Sequence, residues 1–255
     1  MSNIALIEKA LNTPILAINK EFLDHSPNPL LAASAMQYLA MEYKKDNTNV
    51  AVKNRVKEHI LSLIAGGNEP TFNLGLNWHY PMIVNTFALI KETELWNEFS
   101  TEEKDRIDCL MECFAYLLHY AHDRRNYYKT GLGRNTHFDK KWAPNIVAGI
   151  LGYANTLCHY FGGEEVMTQL YTSFDYDAFM TKLTAFGFTN AAKIFGASAI
   201  ETEYGFTIPS AKEILEGTAR DQYCVENEKG NINIVYGGFG EGIKRQFLCK
   251  SLTGP

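Results

Sequence analysis

Ser100-Thr101-Glu102-Glu103-Lys104-Asp105-Arg106-Ile107-Asp108-Cys109-Leu110-Met111-Glu112-Cys113-Phe114-Ala115-Tyr116-Leu117-Leu118-His119-Tyr120-Ala121 is the stretch whose reading decides the fold. Ser100 and Glu103 have the spacing of a capping box, in which each side chain accepts the other residue's backbone N–H. Ile107, Leu110, Met111, Phe114, Leu117, Leu118 and Ala121 then recur at 3-4-3 intervals, the repeat of one helical face. The stretch predicts a clean amphipathic α-helix.

The same grammar extends in both directions. Upstream, apolar Ile4, Ile7, Leu11, Leu16 and Phe22 suggest a helix over 3–24, interrupted near Pro14. A better marked helix follows, with Asn28 as cap and Pro29 at the first helical position, running through Leu31, Ala35, Tyr38, Leu39 and Met41. Val52, Val56, Ile60, Leu61 and Ile64 mark a third helix over about 50–65, ended by Gly66-Gly67. A fourth is expected from about 81 to 95. Downstream, Pro144 opens a helix that runs to about Phe161 and breaks at Gly162-Gly163. Shorter helices are expected at about 164–172, 176–186 and 189–196, and a second capping box, Ser210 with Glu213, opens one at about 211–220. Only Gly230-Asn-Ile-Asn-Ile-Val-Tyr236 alternates weakly, leading into Gly237-Gly238-Phe239-Gly240. It predicts a short extended segment and a Gly-rich turn near the C-terminal end. The fold class is therefore all-α. Antiparallel helix pairs joined by short loops close into an α/α toroid, complete or incomplete, or stack as an irregular solenoid. In a toroid the loops at one end converge on a cleft.

Composition narrows the function classes. A chain of 255 residues, 46% apolar and 13% aromatic, has the content of a sizeable core and none of the signature of disorder. A net charge of −5 argues against nucleic acid as partner, since phosphate binding relies on clustered Lys and Arg. It leaves room for an anionic ligand in a local basic cleft. No apolar run approaches the roughly 20 residues of a membrane span. Glu8, Lys9 and Asn12 make the first residues unlike a signal peptide. The five cysteines (Cys109, Cys113, Cys158, Cys224 and Cys249) show no zinc spacing, and buried free thiols are expected. His119 and His122, followed by Asp123, lack a third ligand in sequence, so a surface or packing role is expected and no metal. No P-loop, dinucleotide fingerprint, nucleophile elbow or HExxH motif is present, and no cofactor is implied. The sequence leaves the oligomeric state open.

Unusual chemistry gathers in two islands either side of the 100–121 helix. The first is Gly75-Leu76-Asn77-Trp78-His79-Tyr80-Pro81, the second Thr130-Gly131-Leu132-Gly133-Arg134-Asn135-Thr136-His137. Each places an amide, an imidazole and aromatic or cationic neighbours just outside a helix, where loops on a rigid scaffold carry function. Each also has a plain structural reading. Trp78 and Tyr80 suit core aromatics, and His79 suits a cap. Asn135 suits a turn, Tyr236 a strand, and Arg124-Arg125 a helix C-terminus.

Together these pieces resemble the hyaluronan and chondroitin lyases, and more widely the toroid polysaccharide lyases that include alginate and glucuronan lyases. Asn77-Trp78 followed by Ile83-Val84-Asn85-Thr86 is similar to their Asn-Trp-Trp…Asn-Thr segment. Thr130-Gly131-Leu132-Gly133-Arg134-Asn135 is similar to their Thr-Gly-Ala-Asn-Arg segment, whose Asn contacts the substrate carboxylate. Asn145-Ile-Val-Ala-Gly149-Ile-Leu151 is similar to the helix that follows it. Tyr236-Gly237-Gly238-Phe239-Gly240 is similar to the turn that carries their catalytic tyrosine. The order is that of the family over roughly 70–245. In this chain Gly133 stands where the family has its Asn, His79 where it has a second Trp, and Asn227 where it has its histidine.

The resemblance implies cleavage of a uronate-containing polysaccharide by β-elimination. Asn135 and Arg134 would neutralise the substrate carboxylate. His137 or His79 would be the base, and Tyr236 the acid or both. Asn77, Trp78 and Tyr80 would position and stack a sugar ring, with Arg124, Arg125, Lys141 and Trp142 lining the cleft. It also implies a secreted or periplasmic protein, and a single toroid domain over 1–255, whole or the N-terminal part of a longer enzyme. A toroid glycoside hydrolase would need two carboxylates across the cleft, and the islands have only Asp139 near them. A non-catalytic helical carbohydrate-binding module would need the aromatics and cations without an acid–base pair.

Overall fold

The computed structural model describes residues 3–12, 29–69, 80–131, 144–201, 207–216, 225–226 and 232–233. Its order is α1 (Asn3–Asn12), α2 (Pro29–Lys45), α3 (Val50–Ile64), α4 (Tyr80–Lys91), a 3₁₀ helix (Glu94–Glu98) and α5 (Thr101–Gly131). Then come α6 (Pro144–Phe161), α7 (Glu164–Thr172), α8 (Tyr176–Phe186), α9 (Thr189–Phe195), β1 (Ile200–Glu201), β2 (Thr207–Ile208), α10 (Ala211–Leu215), β3 (Val225–Glu226) and β4 (Ile232–Asn233). The described chain is all-α, with two antiparallel pairs of two-residue strands as its only sheet: β1 with β2 and β3 with β4. The β4 pairing falls inside the extended segment that the alternation predicts. The β1–β2 pair has no comparable pattern in the sequence.

The described residues fall into two compact units. Unit 1 takes those up to 69, 80–114 and 183–191, and unit 2 those of 115–182 and from 192 onward.

In unit 1, α2 packs against α3 and α4. The face of α2 differs from expectation. Ala33, Met36, Leu39, Ala40 and Tyr43 are buried, whereas Met41 is 53% exposed. The stretch is apolar on nearly every side, so periodicity alone does not select a face. The small Ala33 and Ala40 let neighbouring helices close in, and that selects it. Helix α3 is capped by Asn49, whose side chain accepts from the Val52 N–H, and it buries Val52, Val56, Ile60, Leu63 and Ile64. The predicted capping box opens α5: Glu103 accepts from the Ser100 N–H at 2.7 Å and Ser100 Oγ from the Glu103 N–H at 3.2 Å.

Helix α5 is not the one-faced helix the spacing predicts. Cys109, Leu110, Met111, Cys113, Phe114, Ala115, Tyr116 and Leu117 are all buried, so this part is enclosed around most of its circumference. It also runs on to Gly131. Nothing between Thr101 and Thr130 is Gly or Pro, so there is no breaker to stop it. Arg124 and Arg125 therefore sit inside the helix and not at its end, and Thr130 and Gly131 belong to the helix.

One junction ties unit 1 together. The ends of α3 and α8 meet where Gly66 lies against Gly187. Gly67 donates to the Gly187 carbonyl at 2.9 Å, and Gly187 has φ +69°. Arg106 reaches across from α5. Its Nη1 donates to the Ile64 carbonyl at 3.2 Å and the Phe186 carbonyl at 2.9 Å, and its guanidinium stands 5.1 Å from the Phe186 ring. Last-turn carbonyls have no partner within their own helix, so one cation serves two helix ends.

In unit 2 the aromatics assemble edge to face. Tyr116 meets Phe174 at 4.6 Å and Phe179 at 4.9 Å, and Phe179 meets Phe195 at 5.2 Å. The Tyr171 hydroxyl donates to the Ala115 carbonyl at 3.1 Å. Helix α6 packs on α7. It ends where predicted, with Gly162 and Gly163 at positive φ and both N–H groups donating to the Cys158 carbonyl.

Candidate functional site

The two islands flank described structure and lie almost wholly outside it. Asn77, Trp78 and His79 of the first, Arg134, Asn135 and His137 of the second, and Lys141, Trp142 and Tyr236 are outside the described residues. Arg124 and Arg125 lie on α5, with side chains outside the described ones. Tyr80 alone is placed in full.

What the structure gives is the residue where description stops before the first island and the one inside it where description resumes. Before it stands Glu69, 0% exposed. Its Oε1 accepts from the backbone N–H groups of Asn190 at 2.6 Å and Ala191 at 3.3 Å, and Asn190 Nδ2 donates to its carbonyl at 2.8 Å. A carboxylate from a distant segment thus caps α9, meeting orphan donors of the first turn. Burial pushes its carboxyl above the ordinary carboxylate value, while those backbone donors pull it down. Within the island, Tyr80 opens α4. It is 2% exposed, with its ring 5.3 Å from that of Phe114. The structure makes it a core aromatic. Pro81 follows in the first turn of α4, where its missing N–H costs nothing.

The Asn85-Thr86 pair sits on α4, one to two turns beyond the island. Thr86 is buried, and its hydroxyl donates to the Met82 carbonyl at 2.9 Å. Asn85 is half-buried, an amide on the helix that the island leads into. For the second island, α5 delivers the chain at Gly131 and α6 takes it up at Pro144.

The titratable groups of the described core are structural. Burial drives the Cys113 thiol well above its ordinary value, with neighbouring Cys109 adding to the effect, and raises the Tyr171 phenol. His59 is 1% exposed, and neither ring nitrogen has a hydrogen-bond partner. Burial, with Arg55 adding a smaller push, lowers its pKa to about 4. Sequence reasoning passed over His59 and Glu69 because neither carries a motif. The one signal available is that His59 shares the helical face of Val52, Val56 and Leu63. Among the described residues no group of three or more His, Cys, Asp and Glu is placed to hold a metal ion. No helix among them is long and apolar enough to cross a membrane.

No family model matches the chain, and no solved structure matches it. Over 180 residues it is 30% identical to a protein named gellan lyase from a Bacillus species. That match takes in 69% of this chain and 7% of the relative, so the chain spans a small fraction of the length of the curated protein it matches.

Proposed function

We propose that this chain is part of a polysaccharide lyase and that the islands around Asn77 and Asn135 belong to its cleft. The observation that carries the reading is the match to a protein named gellan lyase over more than two thirds of this chain. The order Asn77-Trp78, Arg134-Asn135, Tyr236-Gly237 supports it from the residues. The substrate is then a uronate-containing polysaccharide, with gellan a first candidate beside alginate, glucuronan and the glycosaminoglycans, and the scaffold an α/α toroid.

The chemistry such residues serve is β-elimination. Asn135 and Arg134 donate hydrogen bonds to the uronate carboxylate and stabilise the aci-carboxylate that develops, each donor contributing roughly 2.7–4 kcal/mol. His137 or His79 takes the C5 proton, or Tyr236 does so as phenolate. The electron pair of that C–H bond forms the C4–C5 double bond, and the C4–O4 bond breaks. Tyr236 returns a proton to the leaving oxygen. Acid and base are each worth about 10²–10⁴-fold. Trp78 and Asn77 hold the ring, with Arg124, Arg125, Lys141 and Trp142 along the anionic chain.

The test is the ultraviolet absorbance of the unsaturated uronate product on gellan, alginate, glucuronan, hyaluronan, chondroitin and heparan. A rise on one polymer is expected, lost in His137→Ala or His79→Ala and in Tyr236→Phe. A flat trace on every polymer with folded protein sinks the reading for this chain. The small share of the relative that is matched favours a second reading, a non-catalytic carbohydrate-binding module of a larger enzyme, which binds polymer without turnover.

A further inference from the structure

Glu69 carries a carboxyl group into the interior of unit 1, where the chain beyond α3 meets the turn between α8 and α9. Its two oxygens are served unequally. Oε1 accepts from the Asn190 N–H at 2.6 Å and from the Ala191 N–H at 3.3 Å. Oε2 is buried and has no hydrogen-bond partner. The rest of the junction is held by neutral contacts: the Gly67 N–H donates to the Gly187 carbonyl, and Asn190 Nδ2 to the Glu69 carbonyl.

No cation balances a negative charge at this place. What acts on the Glu69 carboxyl is burial and backbone N–H groups, and among the described residues neither α9 nor the 66–67 turn adds a charged side chain to it. Arg106, the cation of the neighbouring helix ends, is committed to the Ile64 and Phe186 carbonyls and to Glu102. From α5 the group that feels the Glu69 charge is the Cys113 thiol, itself beside Cys109 and Glu112, and burial keeps that thiol protonated. Ionised, Glu69 therefore holds a charge in the interior with one oxygen unserved, a costly arrangement. Protonated, it loses the charge and still offers Oε1 to both N–H groups. Once the junction opens, the carboxyl meets water and ionises as an ordinary glutamate does.

We propose that closing this junction takes up one proton from solvent on the Glu69 carboxyl, so that the hold of residues 66–69 on residues 187–191 tightens as pH falls and loosens as pH rises. The sign follows from linkage. The closed form binds the proton more tightly than the open form, since burial raises the carboxyl above its ordinary value of 4.5. Between the ordinary and the raised value each pH unit then favours opening by up to about tenfold, and above both the difference is constant. His59, the other buried titratable group of unit 1, acts in the opposite sense, since its burial favours the folded chain as pH rises. The two are told apart by where the effect is read. This latch stands independently of the lyase reading.

Amide exchange of the whole chain, read at Asn190 and Ala191 from about pH 4.5 to 8 and corrected for the intrinsic rate, tests it. Protection of these two amides is expected to fall as pH rises, several-fold in total. Glu69→Gln keeps an oxygen acceptor for both N–H groups and removes the ionisation, so its protection is expected to stay level across the same range. Carbon-13 NMR of the Glu69 carboxyl in the wild-type chain gives a second readout that needs no variant, and a titration midpoint above that of an ordinary glutamate is expected. Protection in the wild type that is level or rises with pH, an equal fall in Glu69→Gln, or a carboxyl that titrates at or below the ordinary value overturns the latch.

Discussion

His59 stays neutral in the folded chain because its ring is buried and neither nitrogen has a partner to stabilise the charged form. Its folded pKa of about 4 lies below the unfolded value near 6.5, so protons bind the unfolded chain more tightly. The stability it leaves intact above pH about 6.5 is therefore lost as pH falls from there toward 4, by about 3 kcal/mol at most. His59→Leu should flatten the melting temperature of unit 1 over that window and, by removing two orphan nitrogens, hold or raise it at pH 7. Melting curves from pH 7 down to 4.5 decide this, and equal slopes for both proteins refute it. The residue scale is also where sequence reading is weakest. Buried thiols at Cys109 and Cys113 were legible from their place on a helical face, whereas Glu69 as the cap of α9 was not. Its donors are more than a hundred residues away, and no local pattern encodes that distance.

At the scale of elements, most helices were legible because their ends are chemically marked. Pro29, Ser100 with Glu103, Pro144, Gly162-Gly163 and Ser210 with Glu213 all stand where helices begin or stop. The sides of the helices were less legible. The enclosure of α5 over 109–117 and the turned face of α2 depend on neighbours, not on period. The Gly66–Gly187 junction was half legible. The glycine pair at 66–67 read as a helix end, but nothing local announced that another backbone lies against it. A Cβ at Gly66 would stand 2.9 Å from the Phe186 carbonyl oxygen, a backbone atom that cannot swing aside. Gly66→Ala should therefore cost about 1–3 kcal/mol by forcing the helix ends apart. Chemical denaturation measures it, and a cost under half a kcal/mol would mean that the junction opens freely.

For the molecule as a whole, the all-α class was legible from the repeated helix–loop grammar, and the order of the islands resembles polysaccharide lyases, in keeping with the 30% identity over 180 residues to a protein named gellan lyase. The islands are stretches without period, and most of their residues lie outside the described ones. The structure places two buried residues by the first island, Glu69 ahead of it and Tyr80 within it.

Unit 1 also sets a timetable for synthesis. Its last piece, residues 183–191, leaves the ribosome only after the 115–182 stretch of unit 2 has been made. Until then Arg106 lacks one of its two carbonyls, Gly66 its facing backbone, and Glu69 the helix it caps. The first hundred residues must therefore wait, incompletely closed, for a segment made much later, and such contacts between distant parts of a chain close slowly. A chain ended after Lys182 should show fast amide exchange across α3 and the start of α5. One ended after Ala191, nine residues longer, should regain protection there, and equal exchange in the two would show that the late segment is dispensable for closing the early one.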